Sequence, residues 1–558
     1  MGCENIYLSQ YTHDINALMA FLSLAFLCMA FFLRREKEGE FINFGILSIT
    51  LIFFLFFSAS NFYFSSNADL SGYPAVKNLS ALFFAMGLLC FLKNIEILKK
   101  TLFIIFVLAG VHAGVGILQQ FVPSLLHQPE KFSFTSSSFF HNPNFYSGYL
   151  VIHIPIGFYL MSQCRNYEER VPLGGIWIMI WLALGFSGSP GGQLFAGVQA
   201  LAMFAYLLKK KDFFHLKILA GTIFLTLVTY FGLVNILNPT PQTSSEAVTS
   251  LLVRRPWIWE HLENRLMYWS GAWSIFKENW LLGSGLWTFI ELYPQTGLKY
   301  TPPHAHNMYL QTAMETGLVG FGLLMACLTV LFRTLVHIFK KASTDVAELN
   351  FYIAVSLFGF LLQNLIEYNW LTSNFIYFFV FLIVAVEVLN RETGENKKWV
   401  SLPFSKEIFP KWVVLSMVLG AFTIIQYYRY SRIISYDIPL SHSVEEVFAN
   451  AERAKNLCSR CGKPYYLSGI IHLETFRQFK NLQELTLAEK DIKELIRRNP
   501  NSMGNFLVLG EIKNLQGNFN EASKYYEIAM KDPRYKVSAL AGIKSLEKRR
   551  GGRRPGKS

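Results

Sequence analysis

Twelve apolar stretches, each close to the length of a bilayer-spanning helix, leave this chain few folds to adopt. They lie near residues 15–33, 42–60, 77–93, 101–121, 146–163, 173–187, 192–208, 217–236, 311–335, 349–366, 372–390 and 411–427. A hydrocarbon core about 30 Å thick takes roughly 20 residues of α-helix. Composition points the same way: 52% of the 558 residues are hydrophobic and 16% are charged, where a soluble domain carries about 25% charge. The expected fold class is all-α, a polytopic membrane protein of about 12 transmembrane helices followed by a C-terminal helical-repeat domain.

The short loops reveal sidedness. Lys and Arg cluster at Arg34–Lys37, Lys93–Lys100, Arg165–Arg170, Lys209–Lys211, Arg333–Lys341 and Arg391–Lys398, which is every second loop. The intervening loops at Asn61–Pro74, Ser187–Gln193 and Glu367–Asn374 have neither, and the one after the fourth span has only Lys131. Cytoplasmic loops collect Lys and Arg, so the N-terminus, the 237–310 loop and everything beyond Tyr428 are expected outside the cytoplasm. The net charge of +13 follows from this topology, and no nucleic-acid partner is expected. No cleavable signal peptide is apparent, and seven Cys are too few and scattered for a disulfide framework.

The chain divides into a membrane domain over 1–430, a soluble segment over 438–548, and a basic tail over 549–558 expected to be disordered. In the soluble segment Leu509, Gly510, Gly517, Ala522, Tyr526, Ala529 and Pro533 sit at the spacing of a 34-residue tetratricopeptide (TPR) unit. A degenerate earlier copy runs from about Tyr465 to Pro500, with Gly469 and Ala488 at comparable places. Such a domain either recruits a protein partner or serves as a packing appendage. Cys458 and Cys461 form a lone C-x-x-C, which outside the cytoplasm is expected to close as a local disulfide, since zinc would need a second pair.

The 237–310 loop is rich in Arg, His and Trp. Pro256 suits the first position of a helix, and His261 and Arg265 then share a face at i, i+4. Trp269 and Trp273 repeat the spacing, as in a helix lying at the membrane interface. Its arginines, Arg254, Arg255 and Arg265, are either snorkelling cations on such a helix or a cationic patch suited to a phosphate-bearing lipid, since guanidinium pairs bidentately with phosphate oxygens. Further on, Gly283-x-Gly285 marks a turn, and Pro302-Pro303-His304-Ala305-His306-Asn307 leads straight into the ninth span.

His306-Asn307, nine residues, then Gly317-x-x-Gly320 resembles the signature of bacterial O-antigen ligases. Arg265…Trp269…Gly283-x-Gly285…Phe289 is similar to the loop of that family, and Phe140-x-Asn142-Pro143-Asn144-x-x-x-Gly148 resembles an element ahead of one of its spans. The resemblance covers most of residues 100–390. It implies a bacterial inner-membrane, metal-independent, inverting glycosyltransferase without cofactor. The donor it implies is a glycan on polyprenyl (undecaprenyl) diphosphate, and the acceptor is lipid A-core. Within the same superfamily the acceptor can be a protein hydroxyl or a growing O-antigen chain; a lipid-linked sugar transporter is the alternative from another class. By match to the motif His306 and Arg265 are the expected catalytic residues, and Arg254, Arg255, His304, His261, Asn307 and Asn144 are expected to bind substrate. The base is either His306, a near-neutral proton acceptor, or a carboxylate such as Glu260. In one place the sequence departs from the family: Pro190 stands where a second Arg follows Ser.

Overall fold

The computed structural model describes residues 18–29, 45–122, 136–140, 142–237, 255–298, 301–371, 373–394 and 408–551. Among the described residues there are helices and connecting turns and no strand. The apolar helices are α1 (Leu18–Met29), α2 (Ile46–Ser60), α3 (Ala68–Phe91), α4 (Ile95–Phe121), α5 (Pro143–Gln163), α6 (Tyr167–Phe186), α7 (Pro190–Lys210) and α8 (Phe213–Leu237). Then come α9 (Arg255–Glu278) in the long loop, α10 (Met308–Lys341), α11 (Thr344–Gln363), α12 (Ser373–Arg391) and α13 (Ile408–Arg432). Nine of the described helices, α2 to α8 with α10 and α11, are long and apolar enough to cross a bilayer. The three other apolar stretches are also helical, as α1, α12 and α13.

Most span boundaries at the Lys/Arg-poor end are written by polar caps. Asn67 accepts from the amides of Asp69 and Leu70 at the start of α3, and Asn142 from Asn144 at the start of α5. Ser189 accepts from Gly192 before α7, and Asn307 from Leu310 before α10. Each side chain satisfies an amide that the first turn leaves unpaired, and Pro143 and Pro190 occupy the first helical positions, where no amide is needed. Helix α5 is the hub of the bundle, 89% of its apolar window being buried, whereas α8 at the periphery buries 11%. Outward-facing Phe53, Ile104 and Phe224 are exposed, as expected of a surface whose solvent is lipid.

The Lys/Arg-poor loops meet one another at one end of the bundle. Asn61 of the α2–α3 loop donates to Leu282 O, Asn144 reaches Glu367, and Met308 N bonds Asn364 O. The C-terminal helices α14 (Val444–Leu457), α15 (Lys463–Phe479), α16 (Leu482–Arg498), α17 (Met503–Leu515), α18 (Phe519–Ala529) and α19 (Lys536–Gly551) attach at the same end. Tyr526 fills the space left by Gly510 and Gly542, where a Cβ would come within 2.8 and 2.5 Å of its ring. Cys458 and Cys461 are disulfide-bonded. Beside them Gly462 N, Lys463 N and Asn499 Nδ2 donate to Asp69 Oδ2 at 2.8, 3.0 and 3.0 Å, and Tyr430 donates to Asp69 Oδ1 at 2.7 Å. Helix α19 continues to Gly551, so the first basic residues of the tail, expected to be disordered, are helical. Lys and Arg favour the last turn of a helix because they face its negative end. Residues 552–558 lie outside the described residues.

Candidate active site

Two glycines build the floor of the site. Gly317 has φ +66° and ψ −169°, which breaks α10 into a short outer piece and a long membrane piece. The turn after α9 threads that break. Ser284 N and Gly285 N donate to the carbonyls of Met314 and Glu315, and Leu318 N and Val319 N donate to Trp280 and Leu281. The fit admits no side chain: a Cβ on Gly317 would lie 2.3 Å from Leu281 O, and one on Gly283 2.2 Å from Glu315 O. Gly283 and Gly317 both have positive φ, which costs glycine little and an L-residue considerably more.

The His304–Asn307 turn sits above this floor. His306 itself has φ +49°, a left-handed conformation that costs a non-glycine residue on the order of 1–3 kcal/mol and persists only where its surroundings enforce it. Its amide donates to His304 Nδ1 at 3.2 Å, and its Nδ1 hydrogen-bonds Glu367 Oε1 at 2.9 Å. Tyr268 of α9 stacks on the imidazole, with ring centroids 5.8 Å apart. With Nδ1 donating to a carboxylate, Nε2 is left as the acceptor on a side chain that is 25% exposed. This is the arrangement in which a carboxylate fixes the tautomer of a histidine base and supports the imidazolium that forms on proton uptake.

Glu367 is the organising group. It is buried, and its second oxygen accepts from Asn144 Nδ2 at 3.1 Å. Asn144 in turn accepts from Ser189 Oγ at 2.9 Å. Burial alone would raise the Glu367 carboxyl. The charge and hydrogen bond of His306, with the charge of Arg265, outweigh it and hold the group at about 2. Arg265 is half-buried on α9 and makes no hydrogen bond among the described residues, yet its charge acts on both Glu367 and His304. Burial, then His306, drive His304 down to about 3, so His304 is a neutral support. The histidine, the arginine and the carboxylate therefore converge on one partly open place.

The other expected site residues are distributed unevenly. Asn144 is brought into the network. Asn307 instead uses its amide on backbone, capping α10 and donating to Leu365 O at 3.0 Å. Arg254 lies outside the described residues, and of Arg255, Glu260 and His261 only the backbone of α9 is described. Pro190, in place of the second Arg, begins α7, while Gln193 donates to Gly185 O at 3.2 Å. Glu367, Ser189 and Tyr268 were not among the expected residues. The one signal that could have found Glu367 is its being a lone carboxylate in a loop devoid of Lys and Arg, since an acid at a span end demands a partner. His304, His306 and Glu367 offer ligand atoms within 4.8 Å of one another and so could hold a metal ion. Each histidine Nδ1, however, already serves a hydrogen bond of ordinary length.

No curated protein matches the chain. Residues 174–325 match the family model described as O-antigen ligase, a stretch from α6 to α10 that contains Ser189, Arg265, His306 and Gly317. The match likens this stretch, about a quarter of the chain, to the O-antigen ligase family.

Proposed function

We propose that the chain transfers a glycan from undecaprenyl diphosphate to a hydroxyl of lipid A-core on the outer face of the bacterial inner membrane. The observation that carries this reading is the Glu367–His306 pair with Arg265 acting on it, at the end of the bundle where the Lys/Arg-poor loops gather. His306 Nε2 accepts the proton of the attacking hydroxyl. The new bond forms at the anomeric carbon as its bond to the diphosphate oxygen breaks, with inversion. Arg265, joined by Arg254 and Arg255, stabilises the charge that collects on the departing diphosphate, the role of a pre-placed cation at a developing anion. Glu367 orients the imidazole and Asn144 with Ser189 orients Glu367. The positive charge needed at the leaving group comes from arginine, so the mechanism requires no metal and no cofactor.

A second reading keeps the same chemistry with a protein acceptor. It is favoured by the C-terminal helices lying against the site loops, where Gln295 donates to Asn501 O at 2.6 Å and Arg534 to Ile290 O at 3.4 Å. The test uses purified protein in proteoliposomes with a polyprenyl-diphosphate oligosaccharide, offered rough lipopolysaccharide and a pilin-like protein in parallel. Transfer to the core, abolished in His306→Ala and in Arg265→Ala, supports the first reading. Transfer to protein alone supports the second, and lengthening of lipid-linked chains would replace both with polymerisation.

A further inference from the structure

A second buried carboxylate, Glu315, lies under the His304–His306 turn and has no part in the chemistry above. It is 1% exposed, at the end of the short outer piece of α10. Its Oε1 accepts from Trp287 N at 2.8 Å and from Gln311 Nε2 at 2.6 Å, and its Oε2 from the Tyr368 hydroxyl at 3.4 Å. Gln311, equally buried, turns its own carbonyl oxygen onto the amide of Ala305 at 2.8 Å, and Ala305 separates the two histidines. The Tyr368 amide meanwhile donates to Glu367 Oε1 at 3.1 Å. One carboxylate thus reaches the Gly283–Thr288 turn, the histidine turn and the Glu367 turn.

On the far side is Lys77 of α3, 2% exposed, whose Nζ donates to Trp370 O at 2.6 Å. Lys77 and Glu315 line one cavity of about 20 Å³ together with Ser58, Asn78, Thr312 and Tyr368. Ser58 Oγ and Asn78 Oδ1 are buried without a partner among the described residues. A space of that size and polarity suits a single water, which needs about 10–15 Å³ and two to four polar neighbours. An apolar filling would serve mere packing at least as well as these buried polar groups.

We infer that Glu315, acting through Gln311, is a positioning residue for the transfer step. It holds the Ala305 amide and so keeps His306 in its left-handed conformation with Nε2 turned to the acceptor. The inference rests on the function proposed above.

Two changes test it. Gln311→Met removes the arm without touching Glu315 or Lys77. Glu315→Gln combined with Lys77→Met removes both ionisable groups together, leaving neither facing the cavity alone. Arg265 lies on α9, outside this network, so both variants should bind the lipid-linked donor with unchanged affinity and KM. Their kcat should fall on the order of 10²-fold, the effect of displacing a reacting group by about 1 Å. Gln311→Asn, one methylene shorter, should fall between the parent and Gln311→Met. A folded Gln311→Met protein with full kcat, or a loss lying wholly in KM or donor affinity, would overturn the assignment. Failure of all three to fold would overturn it too, by making the network a folding element. If the parent transfers no glycan, or His306→Ala transfers normally, it is the underlying function that falls, whatever Glu315 does.

Discussion

Replacing Glu367 by Gln tests the site most directly, because it preserves shape and removes one charge. The carboxyl is held at about 2 against an ordinary 4.5. Burial opposes this, and the charge and hydrogen bond of His306 outweigh it. If His306 is the base, the carboxylate 2.9 Å from its Nδ1 stabilises the imidazolium as the proton arrives, and Glu367→Gln lowers kcat on the order of 10²-fold with little change in donor KM. The assay is initial-rate transfer in proteoliposomes at neutral pH, where wild-type Glu367 is fully ionised, with the donor titrated at saturating acceptor. A Glu367→Gln enzyme within threefold of wild type, beside an inactive His306→Ala, would refute the reasoning. A rise in donor KM at constant kcat would show instead that His306 contacts the diphosphate.

Other outcomes can be checked alongside. Gly317→Ala forces a Cβ to within 2.3 Å of Leu281 O at φ +66°, and should cost at least about 2 kcal/mol in thermal stability in detergent and abolish transfer. Asp69→Ala leaves Gly462 N, Lys463 N, Asn499 and Tyr430 without their acceptor; it should weaken docking of the C-terminal helices by about 2 kcal/mol, seen as faster proteolysis after Tyr430. Glu291 is raised to about 7 by burial, against hydrogen bonds from Asn67 and Ser502 and the charge of Arg534. The folded protein therefore binds more protons than the unfolded one between about 4.5 and 7, and this contribution is full below 4.5 and lost as pH rises through 7. Melting curves at pH 5 and pH 8 should show that loss, and Glu291→Gln should remove it. Transfer should also survive a metal chelator, and sensitivity reversed by one divalent ion would redirect attention to the His304, His306 and Glu367 triad.

The sequence disclosed the helices because they are written locally, in apolar length. The place of His306 and Arg265 was legible from the motif, and the cap role of Asn307 could have been read from its position ahead of an apolar run. Glu367 escaped because its partner lies 61 residues away in the chain and a single acid has no periodicity to announce it. The left-handed backbone of His306 escaped for a related reason: nothing in a Pro-Pro-His-Ala-His string demands it, and tertiary hydrogen bonds impose it. Gly283 and Gly317 read as a turn and a motif position. That each leaves room for the backbone of the other's segment is a fact of three dimensions.

The dispersal of the site along the chain has a consequence for biosynthesis. Asn144, Ser189, Arg265 and His306 are all made before Glu367, which follows only once α11 has been synthesised. A nascent chain anchored in the membrane thus holds the arginine and the histidine for some time without the carboxylate that pairs with His306. On the function proposed above, ribosome-bound intermediates and products truncated before residue 367 would lack a complete site, so glycan transfer would begin only when the chain has passed Glu367.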